Sequence, residues 1–427
     1  MLDPRSLAEQ RDAVVESCRR RGIQAEVDAT IALYRELSAK QTELNEANRR
    51  RNEHQSAGKR KLDPAARERH AAEGRALKEA VSRLEGQLEA ARRKLDTALR
   101  ALPNLVHPEV PEGGEEDFRE LRRVGEPRRF DFAPRDHLEL GTELGLIDFE
   151  GGARVAGQKW FYLKNEAVLL ELALQRYALD LLLEEGFTPY VTPDLARAEI
   201  VDGIGYNPRG EETQIYSVAG TDLCLVGTAE ITLGGLYAGA LLDEEQLPIL
   251  MAGISHCFRT EAGAAGRESK GLYRVHQFTK VEMFVITRPE DSDAWHARLL
   301  EIEERLFQGL ELPYRVIDVA AGDLGAPAWR KFDIEAWMPG RGEAGDYGEV
   351  TSTSNCTDYQ ARRLRTRFRR KGRKRNDFVH MLNGTAVSNA RAILALLENH
   401  QRADGTIAVP KALRPYLGRE LLGRPRG

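Results

Sequence analysis

The sequence predicts an α+β protein in two parts: an N-terminal antiparallel helical coiled-coil hairpin, and a larger domain built around an antiparallel strand pair. Three observations predict it. Residues 77–102 hold an apolar seam at heptad spacing. Residues 103–134 are dense in Pro, Gly and acid, a composition that separates domains. Residues 254–284 alternate with period two on either side of a polar, glycine-rich loop.

Composition sets the outer bounds. A chain of 427 residues has room for two or three domains and a sizeable core. Lys and Arg number 63 against 67 Asp and Glu, a net charge of −4, so any nucleic-acid surface must be local. Cys18, Cys224, Cys257 and Cys356 are scattered, with no CxxC pair and no His at metal spacing. That pattern points to a reduced cytoplasmic protein without structural zinc. The opening MLDPRSLAEQRD is charged and lacks the apolar stretch of a secretory signal. No apolar run approaches 18 residues without a charge, so no membrane partner is expected.

Residues 1–22 read as a short starter helix, and residues 27–61 as a long polar one. Leu62-Asp63-Pro64 breaks the pattern, with Asp63 as N-cap and Pro64 at the first helical position. The second long helix carries Leu77, Val81, Leu84, Leu88, Ala91, Leu95, Leu99 and Leu102, spaced 4 and 3 with one fault. The first has a weaker seam of Ile31, Tyr34, Leu37 and Leu44. Together they predict an arm roughly 50 Å long at 1.5 Å per residue. Its tip is basic: Arg49, Arg50, Arg51, Lys59, Arg60 and Lys61 face Glu53 alone, a local charge of 6 − 1 = +5. Such a tip is either a solvated end or a footprint for phosphates.

The expected domains are therefore 1–102, a linker at 103–134, and 135–427. Residues 166–185 form a strongly apolar helix (Val168, Leu169, Leu172, Leu174, Leu182 and others) ending at Gly186, with Pro189 and Pro193 beyond. Apolar residues nearly all round it imply burial on more than one side. Thr228-Ala229-Glu230 sits between an apolar run and the next helix, and on its own reads as an N-cap with a first-turn acid.

In the central pair, Arg259 and Glu261 share a strand face, as do Arg274, His276, Phe278, Lys280 and Glu282 on the return. An arginine, an aromatic ring and carboxylates on one surface suit a triphosphate, an adenine and an ammonium together. The plain alternative is a solvated charged hairpin. Further on, Glu349 and Thr351 share a face and Ser352 lies on the other unless a bulge intervenes. Residues 361–375 hold ten basic residues and no acid, with Arg365, Arg367 and Arg369 alternating. This run is either a charge-protected edge or a contact for an acceptor stem. Asn383-Gly384-Thr385 is expected to turn the chain into a helix carrying Arg391.

FRTEAG followed by GLYRVHQFTKVEMF resembles the second motif of the class II aminoacyl-tRNA synthetases in its seryl-tRNA synthetase form. The apolar helix with the stretch that follows it to Pro193 resembles the first motif, HMLNGTAVSNARA the third, and residues 130–157 the start of that family's catalytic domain. The resemblance implies a seven-stranded antiparallel sheet flanked by helices, a homodimer joined near Pro193, and activation of L-serine by ATP. Transfer to serine tRNA would follow, with the helical arm gripping the tRNA's long variable arm. Whether a selenocysteine tRNA is also charged stays open.

Residue by residue, the resemblance implies serine contacts at Thr228, Ala229, Glu230, Glu282 and Thr385. It implies ATP contacts at Arg259, Thr260, Glu261, Val275, Phe278, Glu349, Val350, Thr351, Ser352 and Arg391, with Mg2+ held by Glu349 and Ser352. Arg259, Glu282 and Arg391 would carry catalysis, and Arg391 would clamp adenine against Phe278. The third motif departs from the common pattern: Thr385 replaces Ser, and Ala386 and Ala390 replace glycines. A non-catalytic RNA-binding paralogue would have lost Arg259, Glu261, Glu282, Glu349 or Arg391, and an amino-acid:carrier-protein ligase would lack the arm; this chain keeps all of them.

Overall fold

The computed structural model describes residues 1–58, 63–206, 214–262 and 271–423. Contacts divide the chain into Met1–Leu105 and Val106–Gly427.

In the first unit, α1 (Arg11–Arg20) precedes the two long helices α2 (Val27–Ala57) and α3 (Pro64–Ala101). Asp63 caps α3 as its side chain accepts from Ala66 N at 2.8 Å, and Pro64 occupies the first turn. Such a cap is worth about 1 kcal/mol. The seam packs in two groups. Leu44, Val81 and Leu88 bury together towards the tip, while Ile31, Leu95, Leu99 and Leu102 join Leu7, Val14 and Cys18 of the N-terminal segment. Arg49 and Arg50 are exposed, but Arg49 pairs with Glu46 and Glu53, and Arg50 with Glu46. Lys59, Arg60 and Lys61 lie outside the described residues.

The second unit is built on eight strands: β1 (Arg119–Val124), β2 (Thr188–Val191), β3 (Ile249–Phe258), β4 (Gln277–Thr287), β5 (Tyr314–Asp318), β6 (Arg330–Met338), β7 (Asp346–Asn355) and β8 (His380–Ser388). Their order is β1-β5-β6-β7-β8-β4-β3-β2, antiparallel except for the parallel pair β2–β3. This sheet has one strand more than the resemblance implied. The extra strand corrects the linker expectation: residues 103–134 do not merely connect. Val106 and Val110 bury against Ile317, Val319 and Leu324. β1 docks through charge, with Arg119 on the fully buried Asp318 at 2.6 Å and Arg122 on Glu304. A strand held by ion pairs carries no alternating apolar pattern, so periodicity does not reveal it.

Helices α4 (Glu166–Glu184), α6 (Ser292–Gly309) and α8 (Asn389–Asn399) share the main core with Val281, Met283 and Val285 of β4. The intervening β4 residues Phe284 and Ile286 enter a second core with α5 (Ala229–Leu236) and α7 (Tyr359–Leu364). Glu282, in phase with these, opens onto the second side. Helix α4 is not buried all round: Val168, Leu169, Leu172 and Leu183 are 40, 44, 56 and 49 % exposed. Asn383-Gly384-Thr385 does not turn the chain either; all three residues lie within β8, paired to β4.

Candidate active site

Strand β4, with β7 and β8, supplies much of the lining of a cleft of about 430 Å³. On β4, the alternating Phe278, Lys280 and Glu282 all line it, as the pleat requires. Opposite Glu282 stands Gly253. A Cβ there would come within 2.9 Å of Ala229 and Leu233, so the glycine lets α5 approach β3. Ala229 thus acts as a packing residue, fully buried and outside the cleft lining. Thr228 is the N-cap of α5, accepting from Glu230 N at 3.2 Å. The plain reading of this tripeptide, an N-cap followed by a first-turn acid, is therefore what the structure shows.

Two bulges aim the remaining groups. On β7, Thr351 pairs with Ile334 and Glu349 with Glu335, which leaves Val350 as the extra residue. On β8, Thr385 pairs with Glu282 and Val387 with Val281, which leaves Ala386 extra. Each bulge brings residues three apart onto one face: Glu349 with Ser352, and Thr385 with Ser388. All four line the cleft. Thr351 points the other way, and its hydroxyl donates to Glu303 Oε2 on α6 at 2.9 Å. The Thr351 hydroxyl is therefore engaged on the α6 side of the sheet, away from Glu349 and Ser352.

The acids differ in state. Burial pushes the Glu230 carboxyl up to about 7, with Glu282 adding to the effect. Its Oε1 accepts from Gln360 Nε2 (2.6 Å) and Asn383 Nδ2 (2.8 Å), leaving Oε2 for a ligand. Burial also raises Glu282, against the pull of Lys280, Arg259 and the Thr228 hydroxyl; its carboxylate pairs with the Lys280 ammonium. At Glu349 burial works upwards, but Arg391, Lys331 and Arg259 outweigh it and hold the carboxyl below its usual range.

Of the residues expected to meet ATP, Arg391 binds the Glu349 carboxylate at 3.1 Å and lies over the Tyr273 ring at 4.6 Å. Arg259 is the cation over Phe278, at 5.3 Å. Arg391 and Phe278 do not touch in this structure, because β4 presents Phe278 towards the end of β3 where Arg259 follows. Arg259 and Glu261 owe their shared site to more than strand alternation. β3 ends at Phe258, and Glu261 takes a left-handed φ of 54°, which swings its carboxylate to within 2.7 Å of Arg274. Such a backbone costs about 1 kcal/mol or more for a non-glycine residue, which is typical of functional sites.

The cleft gathers the expected Glu230, Arg259, Glu261, Val275, Phe278, Glu282, Glu349, Val350, Ser352, Thr385 and Arg391, and Thr351 lines it as well. Thr228, Ala229 and Thr260 do not line it. Sequence reasoning missed Tyr206, Tyr273, Lys331, Gln360 and Asn383, whose roles arise from long-range approach alone. It also missed the buried His137, whose Nε2 accepts from Leu272 N (3.1 Å) while Nδ1 faces Glu398 (2.7 Å). This relay seats the backbone where the return segment re-enters the cleft.

Behind the sheet, Glu303 is fully buried, and its Oε1 has no hydrogen-bond partner among the described residues. Burial, reinforced by Asp333 and Glu282, raises its carboxyl well above the usual value. A raised folded-state value means stability present below the unfolded pKa and lost as pH climbs towards the folded one. Glu303→Gln is therefore expected to leave Tm unchanged near pH 4 and to raise it at pH 8. Equal shifts at both pH values would show that Glu303 is not held neutral.

Known proteins resemble the chain along its whole length. Residues 1–106 match the family "Seryl-tRNA synthetase N-terminal domain", and residues 216–400 match "tRNA synthetase class II core domain (G, H, P, S and T)". The chain is 54 % identical to the serine–tRNA ligase of Rhodopirellula baltica, covering 99 % of both chains. It is 52 % identical to that of Rubrobacter xylanophilus, covering 100 % of both. Among solved structures, it resembles the seryl-tRNA synthetase of Pyrococcus horikoshii complexed with ATP, with a TM-score of 0.91, 40 % identity and 100 % of each chain covered.

Proposed function

The chain belongs to the seryl-tRNA synthetase family, and on that premise we propose that the cleft around Glu282 is where serine and ATP meet. The reaction itself is that of the family: L-serine is activated by ATP to seryl-adenylate, and the seryl group passes to serine tRNA. The carrying observation is the convergence of Glu230, Glu282, Thr385, Arg259, Glu349 and Arg391 on the lining of one cleft.

Serine's ammonium binds between Glu230 Oε2 and Glu282, displacing Lys280 from the latter. Its hydroxyl meets Thr385, directly across from Glu282 in register. A site that pairs the hydroxyl in this way rejects an analogue lacking it by roughly 10⁴–10⁵, because its buried polar groups are left unpaired. The serine carboxylate then attacks the α-phosphorus of ATP, and pyrophosphate leaves. Arg259 neutralises charge on the α-phosphate, Phe278 faces the adenine, and Glu261 accepts from the adenine amino group once Arg274 yields. No side-chain nucleophile is required; positioning and preorganised charge do the chemistry. The terminal ribose hydroxyl of the tRNA finally attacks the seryl carbonyl and releases AMP.

The oxygens of Glu349 and Ser352, brought to one face by the Val350 bulge, fit a hard cation. Among the described residues no group of three or more His, Cys, Asp or Glu side chains could hold an ion, so Mg2+ would take its other ligands from phosphates and water. When bound, it adds charge neutralisation at the phosphates.

The exposed Val168, Leu169 and Leu172 of α4, with Val191 on β2 (85 % exposed), form an apolar surface that supports a homodimer. Leu169→Asp/Leu172→Asp should yield a monomer in sedimentation at micromolar concentration. An unchanged dimer would move the interface elsewhere. Four buried free cysteines accord with a reducing, cytoplasmic setting, and no described helix is long and apolar enough to cross a membrane.

A pH profile tests the site. Because burial pushes the Glu230 carboxyl up to about 7, kcat/KM for serine in ATP–pyrophosphate exchange should rise through pH 7. Bound ammonium favours the carboxylate, so the rise in kcat should lie at lower pH. A flat kcat/KM between pH 6 and 8 would take Glu230 out of the serine pocket.

A further inference from the structure

Ten of the fifteen residues at 361–375 are basic, and the fold sorts them into two kinds. Three are structural. Arg362 pairs with Asp358 and lies over Phe378, Arg363 bonds Asp202 O and Tyr359, and Arg370 is held by Glu290 and Asp377. The other seven are exposed. Arg365, Arg367 and Arg369 alternate along one face, with Thr366 and Phe368 buried on the other. Lys371, Arg373, Lys374 and Arg375 continue through the turn that follows.

Position in the sheet separates the two meanings of such a run. Arg367–Arg369 is the central strand of a small sheet, flanked by Leu241–Asp243 and Asn376–Phe378. Charges that protect an edge belong on an edge strand; here they cover a face. That face has little counter-charge. Arg369 stands 4.0 Å from the exposed Asp243, and Arg373 stands 3.7 Å from Asp377, which Arg370 already binds. Seven exposed cations in eleven residues, on a chain of net charge −4, amount to a local anion-attracting field.

The sheet is also tied to the serine pocket. Gln360 of α7 donates to Glu230 at 2.6 Å. Six residues on, Thr366 Oγ1 donates to Tyr237 O at 2.9 Å, and Arg367 N to Ala240 O at 3.0 Å, just past the helix that carries Glu230. From Gln360 to Arg367 the chain advances about 14 Å, counting helical and extended rise. A tRNA whose 3′ end reaches serine must pass its acceptor arm near the pocket.

We propose that the Arg365–Arg367–Arg369 face, with the basic turn after it, binds the phosphate backbone of the tRNA acceptor arm. The inference rests on the reading of the chain as a ligase that charges serine tRNA. Phosphate contacts of this kind position the RNA without reading its sequence. An acidic protein segment could meet the same charges, but tRNA is the polyanion that the chemistry brings here.

Two variants test it in the full-length protein: Arg367→Gln/Arg369→Gln on the strand, and Lys371→Gln/Lys374→Gln/Arg375→Gln in the turn. Each should raise the KM for serine tRNA about tenfold or more and reduce the salt dependence of binding by about 0.9 per lost contact. Serine-dependent ATP–pyrophosphate exchange should be unchanged. If the strand variant fails to fold, the turn variant decides alone, since it alters neither strand. Unchanged KM and salt slope would overturn the proposal. So would a parallel fall in exchange, which would mean that the cations hold α7 and Glu230 in place. Charging of serine tRNA by the unmodified protein, run alongside, separates failure of this proposal from failure of the underlying reading.

Discussion

Glu282→Ala is expected to abolish serine-dependent ATP–pyrophosphate exchange while the protein remains folded. A charge-assisted bond to the substrate is worth about 1.5–3 kcal/mol, and more where it also orients the attacking carboxylate. The structure adds a complication. Removing the carboxylate also leaves the buried Lys280 ammonium without its partner. Truncating one side of a buried pair costs about 3–5 kcal/mol, so the alanine variant should melt lower as well. Glu282→Gln keeps a carbonyl for Lys280 and removes only the charge. It should therefore retain most of the stability and still lose exchange. A glutamine variant that exchanges at near the unmodified rate would refute the assignment of Glu282 to serine.

Replacing residues 40–75 with a short turn should separate the two half-reactions. Leu44 is lost from the outer seam, but the inner group of Ile31, Leu95, Leu99 and Leu102 stays intact, so the base of the arm should persist. Seryl-adenylate formation should continue at its normal rate. Aminoacylation should fall by on the order of 10²-fold or more, because clustered phosphate contacts carry much of tRNA affinity. Its salt dependence should flatten with it. Arg49 and Arg50 would release Glu46 and Glu53 on meeting RNA, so part of their charge is held in reserve within α2. Equal loss of both activities would assign the arm a folding role. Unchanged aminoacylation would make the tip a solvated end.

Read alone, the chain disclosed whatever depends on near neighbours. The heptad seam and the Asp63-Pro64 start define α3 because helix period and capping are local properties. The alternation of Phe278, Lys280 and Glu282 is likewise a property of β4 itself. The motif order around Arg259 and Arg391 carried the family and twelve of the residues that line the cleft. Tertiary structure decided what depends on pairing between distant segments. Only the partner strands show that Val350 and Ala386 are the extra residues, and hence that Glu349 joins Ser352 and Thr385 joins Ser388. Only the fold brings Gln360 and Asn383 to Glu230, sets Arg259 over Phe278 and leaves Arg391 on Tyr273. β1 is the extreme case. Its six residues have no apolar rhythm, and its place in the sheet rests on the buried carboxylates of Asp318 and Glu304, nearly two hundred residues away. A one-residue shift in register reverses every side chain on a strand. The direction each catalytic group faces is therefore settled by long-range hydrogen-bond pairing, which spacing along a single chain does not encode.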